Sequence, residues 1–265
     1  MSGFTLLRDD ALLHGTQQGA GAPVLFQHGL GGNAAQVAEN FPDHPGWRRI
    51  TLECRAQGGS PPGSVRPFSF AMFTDDVLAA AEACGAQSFV AGGISMGAAI
   101  ALRLAALHPA RVRALILARP AWAFAKAPPN MACFAEVASY LRRGATREDF
   151  AQTATARHLA QVAPDNLASL LGFFDRPDRA VSADLFGAIA QDGPGVSRAQ
   201  AAALAVPVLI LAHEIDAVHT MGIARELAET IPNARLVQIP PKATDRAAHV
   251  AAMRDSLSAF LAEHA

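Results

Sequence analysis

At 265 residues the chain is long enough for one large α/β domain, with or without an insertion. Apolar residues make up 51% of it and charged ones 17%, so a substantial core is expected, and a net charge of −1 argues against holding nucleic acid or an anionic membrane by bulk electrostatics. No apolar run approaches transmembrane length, and the opening stretch MSGFTLLRDDALLHG has neither the basic start nor the apolar centre of a secretory leader.

In chain order, residues 24–27 (VLFQ) read as a buried strand and residues 33–40 as a short helix. A strand is expected over 49–53. A helix follows over 74–84, with Thr74 or Asp75 as its N-cap and Gly85 as its stop. Residues 88–93 form a strand that runs into a helix over 96–107. Further strands are expected at 114–118 (ALILA), 207–212 (PVLILA) and 235–239, with helices over 221–230 and 247–261. Short apolar strands alternating with helices predict an α/β fold with a mostly parallel central sheet covered on both faces. One stretch breaks the alternation. Between ALILA and PVLILA lie helical patterns such as MACFAEVASYLRR and SADLFGAIAQ, punctuated by Gly, Pro and Asp. That gap is too long for a loop and reads as a helical cap. The expected division is a core of residues 1–118 and 206–265, with the cap at 119–205.

Gly93-Ile94-Ser95-Met96-Gly97 stands at a strand-to-helix junction and fits G-x-S-x-G. A serine on so sharp a corner needs small neighbours, because strand and helix crowd there. Its hydroxyl is then exposed above the sheet, and the helix N-terminus faces any negative charge that forms. The bland alternative is a serine N-cap with glycines that merely ease packing.

Here the chain resembles the α/β-hydrolase family, along VLFQHGLGG, GGISMGAAIALRLAALHPARVRALIL, VPVLILAHEIDAVHT and HVAAMRDSLSAFL. The resemblance is loosely toward enol-lactone hydrolases and carboxylesterases. It implies a cap after the sixth strand and a triad in the order serine, acid, histidine. Ser95 would be the nucleophile. Asp216 matches the acid, with Glu214 as fallback. His249, at the start of the last helix, matches the base; His219 lies in the acid loop itself, and His264 stands next to the end of the chain. The loop before His249, PPKATDRAAH, departs from the family's short Gly-His turn. The backbone N–H groups of Leu30, in His28-Gly29-Leu30, and of Met96 would form the oxyanion hole. Another departure is Glu53-Cys54-Arg55-Ala56-Gln57-Gly58, where relatives read D-x-R-G-H-G.

The implied activity is a serine hydrolase cleaving a carboxylic ester, lactone or related acyl bond. The alternatives are an acyltransferase using the same triad and a non-catalytic binding protein. Arg119, Trp122 and Phe124 are candidate substrate-binding residues. Arg119 has two expected jobs: fixing the cap hinge, or clamping a substrate carboxylate. A largely apolar pocket is expected, favouring medium-sized acyl groups over acetate. No cofactor or metal is implied. The expected partner is a small-molecule acyl substrate, with a homodimer left open, and neither nucleic acid nor membrane is expected. Cys54, Cys84 and Cys133 are widely spaced, without CxxC, and read as reduced thiols in a cytoplasmic protein. Two rival patterns fall short. Gly29-x-Gly31-x-x-Ala34, with Glu53 beyond it, mimics a dinucleotide fingerprint, but the helix is short and the reading leaves the serine corner unexplained. HEIDAVH fails the spacing of a zinc-binding helix, because Ala217 stands where the second histidine belongs.

Overall fold

The computed structural model describes residues 1–264. Its strands are β1 (Ser2–Arg8), β2 (Ala11–Gly19), β3 (Ala22–Gln27), β4 (Trp47–Leu52), β5 (Phe89–Ile94), β6 (Val112–Ala118), β7 (Val208–Ala212) and β8 (Ala234–Gln238). They form one sheet in the order β1-β2-β4-β3-β5-β6-β7-β8. The pairs β1–β2 and β2–β4 are antiparallel, and all the others are parallel. This is the expected α/β architecture. Side-chain alternation along the strands divides the core in two. On β3, Val24 and Phe26 pack with α1 (Ala34–Asn40) and α11 (Arg246–His264). Leu25 joins the opposite layer with α2 (Phe70–Ala83) and α3 (Met96–Leu107). Burial on both faces is why the central strands read as unbroken apolar runs.

α2 begins earlier than the sequence suggests. Ser69, not Thr74 or Asp75, is its N-cap, accepting from the Met72 N–H at 3.1 Å. Phe70, Phe73 and Val77 are buried at helical spacing, so the apolar run before Thr74 is already helix. Thr74 instead donates back to the Phe70 carbonyl. The β1–β2 hairpin has no counterpart among the elements expected from the sequence. Its turn is the acidic pair Asp9-Asp10 between Arg8 and Ala11, with Asp9 at φ +53°. Its strands are half-exposed, so they lack the apolar runs that mark the central ones.

Between β6 and β7 come α4 (Ala132–Arg142), α5 (Arg147–Ala151), α6 (Ala154–Val162), α7 (Pro164–Gly172) and α8 (Arg179–Gln191). Most of the insertion's aromatic residues pack on one another. The Phe173 and Phe186 ring centroids are 4.3 Å apart, and those of Phe150 and Phe174 are 5.5 Å apart. α9 (Arg198–Ala202) packs on α3 and on α10 (Met221–Thr230). Among the described residues no helix is long and apolar enough to cross a membrane.

The hairpin is tied down through a buried ion pair. Asp76 of α2 accepts from Arg8 Nε at 2.9 Å and from Arg55 Nε and Nη2 at 2.7 and 3.0 Å. Arg55 also reaches Asp9 at 2.7 Å. The side chains of Arg55 and Asp76 are each only 1% exposed, so removing one partner strands a buried charge. Arg55→Met should therefore cost about 3–5 kcal/mol of folding free energy. Urea denaturation reads this directly, and a change under about 1 kcal/mol, the worth of a surface pair, would contradict it.

Candidate active site

The sheet order reverses direction at β3 and β5, which lie side by side with Gln27 opposite Gly93. In open α/β sheets such a switch opens a crevice at the carboxyl ends of the strands. Ser95 stands there, at the end of β5, with φ +57° and ψ −109°. An L-residue holds such a backbone only when its surroundings force it to. The forcing is visible. A Cβ on Gly93 would come within 2.5 Å of the Gly97 backbone, and one on Gly97 would strike the Gln27 carbonyl. The Ser95 N–H is fixed to the Ala118 carbonyl at 2.9 Å. The Leu30 loop follows β3 on the neighbouring strand. The N–H groups of Leu30 and Met96 have no acceptor among the described residues.

The loop after β7 supplies Asp216 and His219. His219 Nε2 lies 2.8 Å from Ser95 Oγ, and its Nδ1 lies 2.9 Å from both Asp216 oxygens. With Asp216 ionised, Nδ1 carries the proton and donates, leaving Nε2 to accept from the serine hydroxyl. Asp216 Oδ1 also accepts from the Val218 and His219 N–H groups, closing a tight turn. Its Oδ2 accepts from Arg119 Nε at 3.0 Å and Nη2 at 2.6 Å. Arg119 Nη2 lies 3.3 Å from His219 Nδ1, an approach of two donors that cannot also be a hydrogen bond. Arg119 stands at the expected hinge, but it donates to a buried carboxylate rather than to loop carbonyls. It is the counter-ion of Asp216, at the first residue after β6 and at φ +48°.

Burial raises the Asp216 carboxyl, but the imidazole of His219 facing it, the charge of Arg119 and the hydrogen bonds from His219 outweigh it and hold the group far below the usual carboxylate range. Burial pushes His219 down; Asp216 pulls it up and Arg119 pushes it down again, and it ends below its ordinary value.

His249 is not brought to the serine. Residues 241–245 close a turn, with the N–H groups of Thr244 and Asp245 on the Pro241 carbonyl, and α11 starts at once. That draws His249 into the first turn of the helix. Its ring is buried, and Nδ1 bonds the Pro240 carbonyl at 2.9 Å. Lys242 of the same loop lines the cavity at Ser95 instead. The expectation that placed His249 beside Ser95 is thus corrected: the helix begins before the loop can reach over the sheet. His249 stacks edge-on against His213, whose pKa burial pushes down to about 4. His213 Nε2 is 3.4 Å from Asp216 Oδ2 but out of line for a hydrogen bond. Glu214 points outward to Arg225. His28 is buried, with Nδ1 on the Gly29 carbonyl and Nε2 accepting from the Cys54 N–H.

The cavity at Ser95 has a volume of ≈ 90 Å³. Leu30, Phe134, Leu170 and Phe173 form its apolar wall, and Gln36, Asn166, Ser169 and Lys242 its polar one. Arg119 lines it, whereas Trp122 and Phe124 do not. Trp122 is buried against Phe70 and donates to the Asp192 carbonyl, and Phe124 packs under Arg198. Both were drawn away because they follow the hinge, where the chain re-enters the core layer. Asn166 of α7 accepts from the Ala217 and Val218 N–H groups, and Asn130 donates to the Val218 carbonyl. The insertion thus grips the loop that carries His219. Neither asparagine was legible in the sequence, since only helix packing brings them there. The dinucleotide pattern also has a local explanation. Glu53 Oε1 accepts from the Ala34 N–H, filling the α1 N-terminus with the chain's own carboxylate. No group of three or more His, Cys, Asp or Glu among the described residues is arranged to hold a metal ion.

Nucleophile corner, free N–H pair and acid–histidine loop together define the layout of a hydrolase of the α/β class. The chain belongs to the alpha/beta hydrolase fold family, whose pattern matches residues 22–243. It is 26% identical over 240 residues to the "Putative carbamate hydrolase RutD" of Azorhizobium caulinodans, with 87% of each chain covered. Among solved structures it is similar to the enol-lactonase of Burkholderia xenovorans LB400, with TM-score 0.76, 21% identity and coverage of 97% and 99%. It is also similar to Est816, described as an N-acyl homoserine lactone degrading enzyme, with TM-score 0.68, 21% identity and coverage of 97% and 99%. At that identity the two structures speak for the fold.

The charges around His219 have a measurable consequence. Its imidazole should titrate below the ordinary histidine value of about 6.5 in an NMR titration. Arg119→Met removes a nearby cation that disfavours the imidazolium, so the midpoint should move upward. A downward move would show that Asp216 had lost its charge together with its partner.

Proposed function

We propose that the protein is a serine hydrolase acting on a small carboxylic ester, lactone or related acyl compound, with Ser95, His219 and Asp216 as its triad. The observation that carries this is the hydrogen-bonded chain from Ser95 Oγ through His219 to Asp216. His219 is neutral at neutral pH, because burial and Arg119 disfavour the imidazolium, so Nε2 is free to act as a base. As Oγ attacks the acyl carbon, its proton passes to Nε2. The carbonyl oxygen becomes an oxyanion held by the N–H groups of Leu30 and Met96. The imidazolium, steadied by Asp216, gives its proton to the departing alkoxide, leaving an acyl-serine. Water then attacks the acyl carbon as Nε2 takes its proton; that proton returns to Oγ as the acid product leaves.

The substrate side rests on cavity size and lining. Room of ≈ 90 Å³ suits an acyl group of few carbons rather than the medium-sized groups that a largely apolar pocket led one to expect. Most of the insertion's aromatic residues are occupied with its own packing. The polar wall of Gln36, Asn166 and Ser169 suits a substrate with further acceptors beyond the scissile carbonyl.

Ser95→Ala should abolish hydrolysis of p-nitrophenyl acetate and labelling by a fluorophosphonate, with a loss of several orders of magnitude. His219→Ala should be nearly as damaging, whereas His249→Ala should keep the covalent chemistry. Inactive His249→Ala beside active His219→Ala would move the base to His249 and require the last loop to rearrange.

Acyl-chain preference tests the cavity. Across p-nitrophenyl esters, kcat/KM should be highest for acetate to butyrate and fall with longer chains. A steady rise toward octanoate would contradict a pocket of this size. Lactone and carbamate panels then place the leaving group.

A further inference from the structure

The loop that carries the Leu30 N–H is held from two sides, and one of those sides is the helical insertion. On the core side, the Gly29 carbonyl accepts from His28 Nδ1 at 2.8 Å and from the Gly32 N–H at 2.9 Å. This fixes the peptide unit whose other end is the Leu30 N–H. Gly31, next along, has φ +77°, a backbone that invites peptide flips unless its polar groups are engaged. They are engaged. The Gly31 N–H donates to Gln57 Oε1 at 2.7 Å. The Gly31 carbonyl accepts from Arg176 Nη1 at 3.2 Å. The ring of Phe173 lies so close over Gly31 that any Cβ there would collide with it.

Arg176 lies between the helical turn at Phe173–Asp175 and α8. Its Nη2 donates to the Ala56 carbonyl at 2.5 Å, and its Nε to Ser182 Oγ of α8 at 2.9 Å. One guanidinium therefore joins the insertion, the loop after β3 and the loop after β4. Burial depresses its pKa, yet its hydrogen bonds run to carbonyls and a hydroxyl rather than to a carboxylate. Gln57 is fully buried, and its Nε2 contacts Met96 Sδ at 3.8 Å. The same amide thus touches Gly31, next to Leu30, and Met96 itself.

We infer that Arg176 and Gln57 are positioning residues of the oxyanion hole, so that seating of the helical insertion completes the site that stabilises the tetrahedral intermediate. This rests on the hydrolase reading above. Leu30 and Met96 supply the donors; Gln57 sets the loop against Met96, and Arg176 locks it only when the insertion is in place. A misplacement of about 1 Å costs on the order of 10²-fold in rate, and loss of an oxyanion donor about 10²–10³-fold.

The test compares wild type, Arg176→Met, Arg176→Lys and Gln57→Leu on p-nitrophenyl acetate, with thermal melts to confirm folding. Arg176→Met and Gln57→Leu should lower kcat about 10- to 100-fold with KM within about twofold. Affinity for an alkyl boronic acid, which mimics the tetrahedral state, should fall in parallel. Arg176→Lys should recover part of kcat. The double variant should lose much less than the product of the single losses, because both act on one loop. Folded Arg176→Met with wild-type kcat and boronate affinity overturns the inference while the hydrolase reading stands. A rise in KM with kcat unchanged also overturns it, by showing substrate contact instead. Wild-type protein that neither hydrolyses the ester nor reacts with a fluorophosphonate overturns both.

Discussion

The carboxylate of Asp216 has no exposed side-chain surface, and its nearest partner, His219, is held below its ordinary pKa and so is uncharged at neutral pH. A buried charge without compensation costs several kcal/mol. Arg119 supplies the compensation permanently, since a guanidinium does not deprotonate in a protein. Much of the site's layout follows from this pairing. The cation must enter from β6 and the anion from β7, which are adjacent and in register at Ala118 and Leu211. The chain must then leave β6 through a left-handed residue to aim the guanidinium at the loop. The helical insertion begins directly after that residue, so its hinge and the counter-ion are one and the same.

Legibility in the sequence followed how local each cause was. The serine corner was readable because its requirements are met within five residues: Gly93 and Gly97 make room, and Ser95 takes the strained backbone. The central strands were readable because both of their faces are buried. The β1–β2 hairpin was not, because its strands are half-exposed and its anchor is Asp76, distant in the chain. His249 was placed by likeness to relatives and misplaced because the turn at Pro241 lets α11 start too soon. His219 carries a local signal of its own. Three residues after an acid, a histidine on a tight turn can fold back onto the carboxylate, as Asp216 Oδ1 shows by capping the His219 N–H. Gln57 stands out in the sequence only as a departure from relatives; its partner Gly31 is far away in sequence, and no spacing rule joins them.

The insertion is more than a cover. Asn166 and Asn130 hold the Asp216–His219 loop from one side, and Phe173 and Arg176 hold the Leu30 loop from the other. Both loops leave the carboxyl ends of the sheet, after β3 and after β7, with β5 and β6 between them. Helices packed on their own aromatic core therefore contact both loops. A small cavity is the natural by-product, because a clamp that close leaves little empty space beneath it.

Having carboxylate and imidazole on one tight turn, three residues apart, changes what the rest of the chain must guarantee. When these two groups come from different loops, their spacing depends on how two distant segments settle against each other. Here local backbone geometry sets it, and breathing of the sheet leaves it untouched. Only two segments, the serine corner and this turn, have to meet. The segment after β8 is thereby released from holding a histidine over the serine, and its prolines, its lysine and its early helix can drift or specialise at little chemical cost.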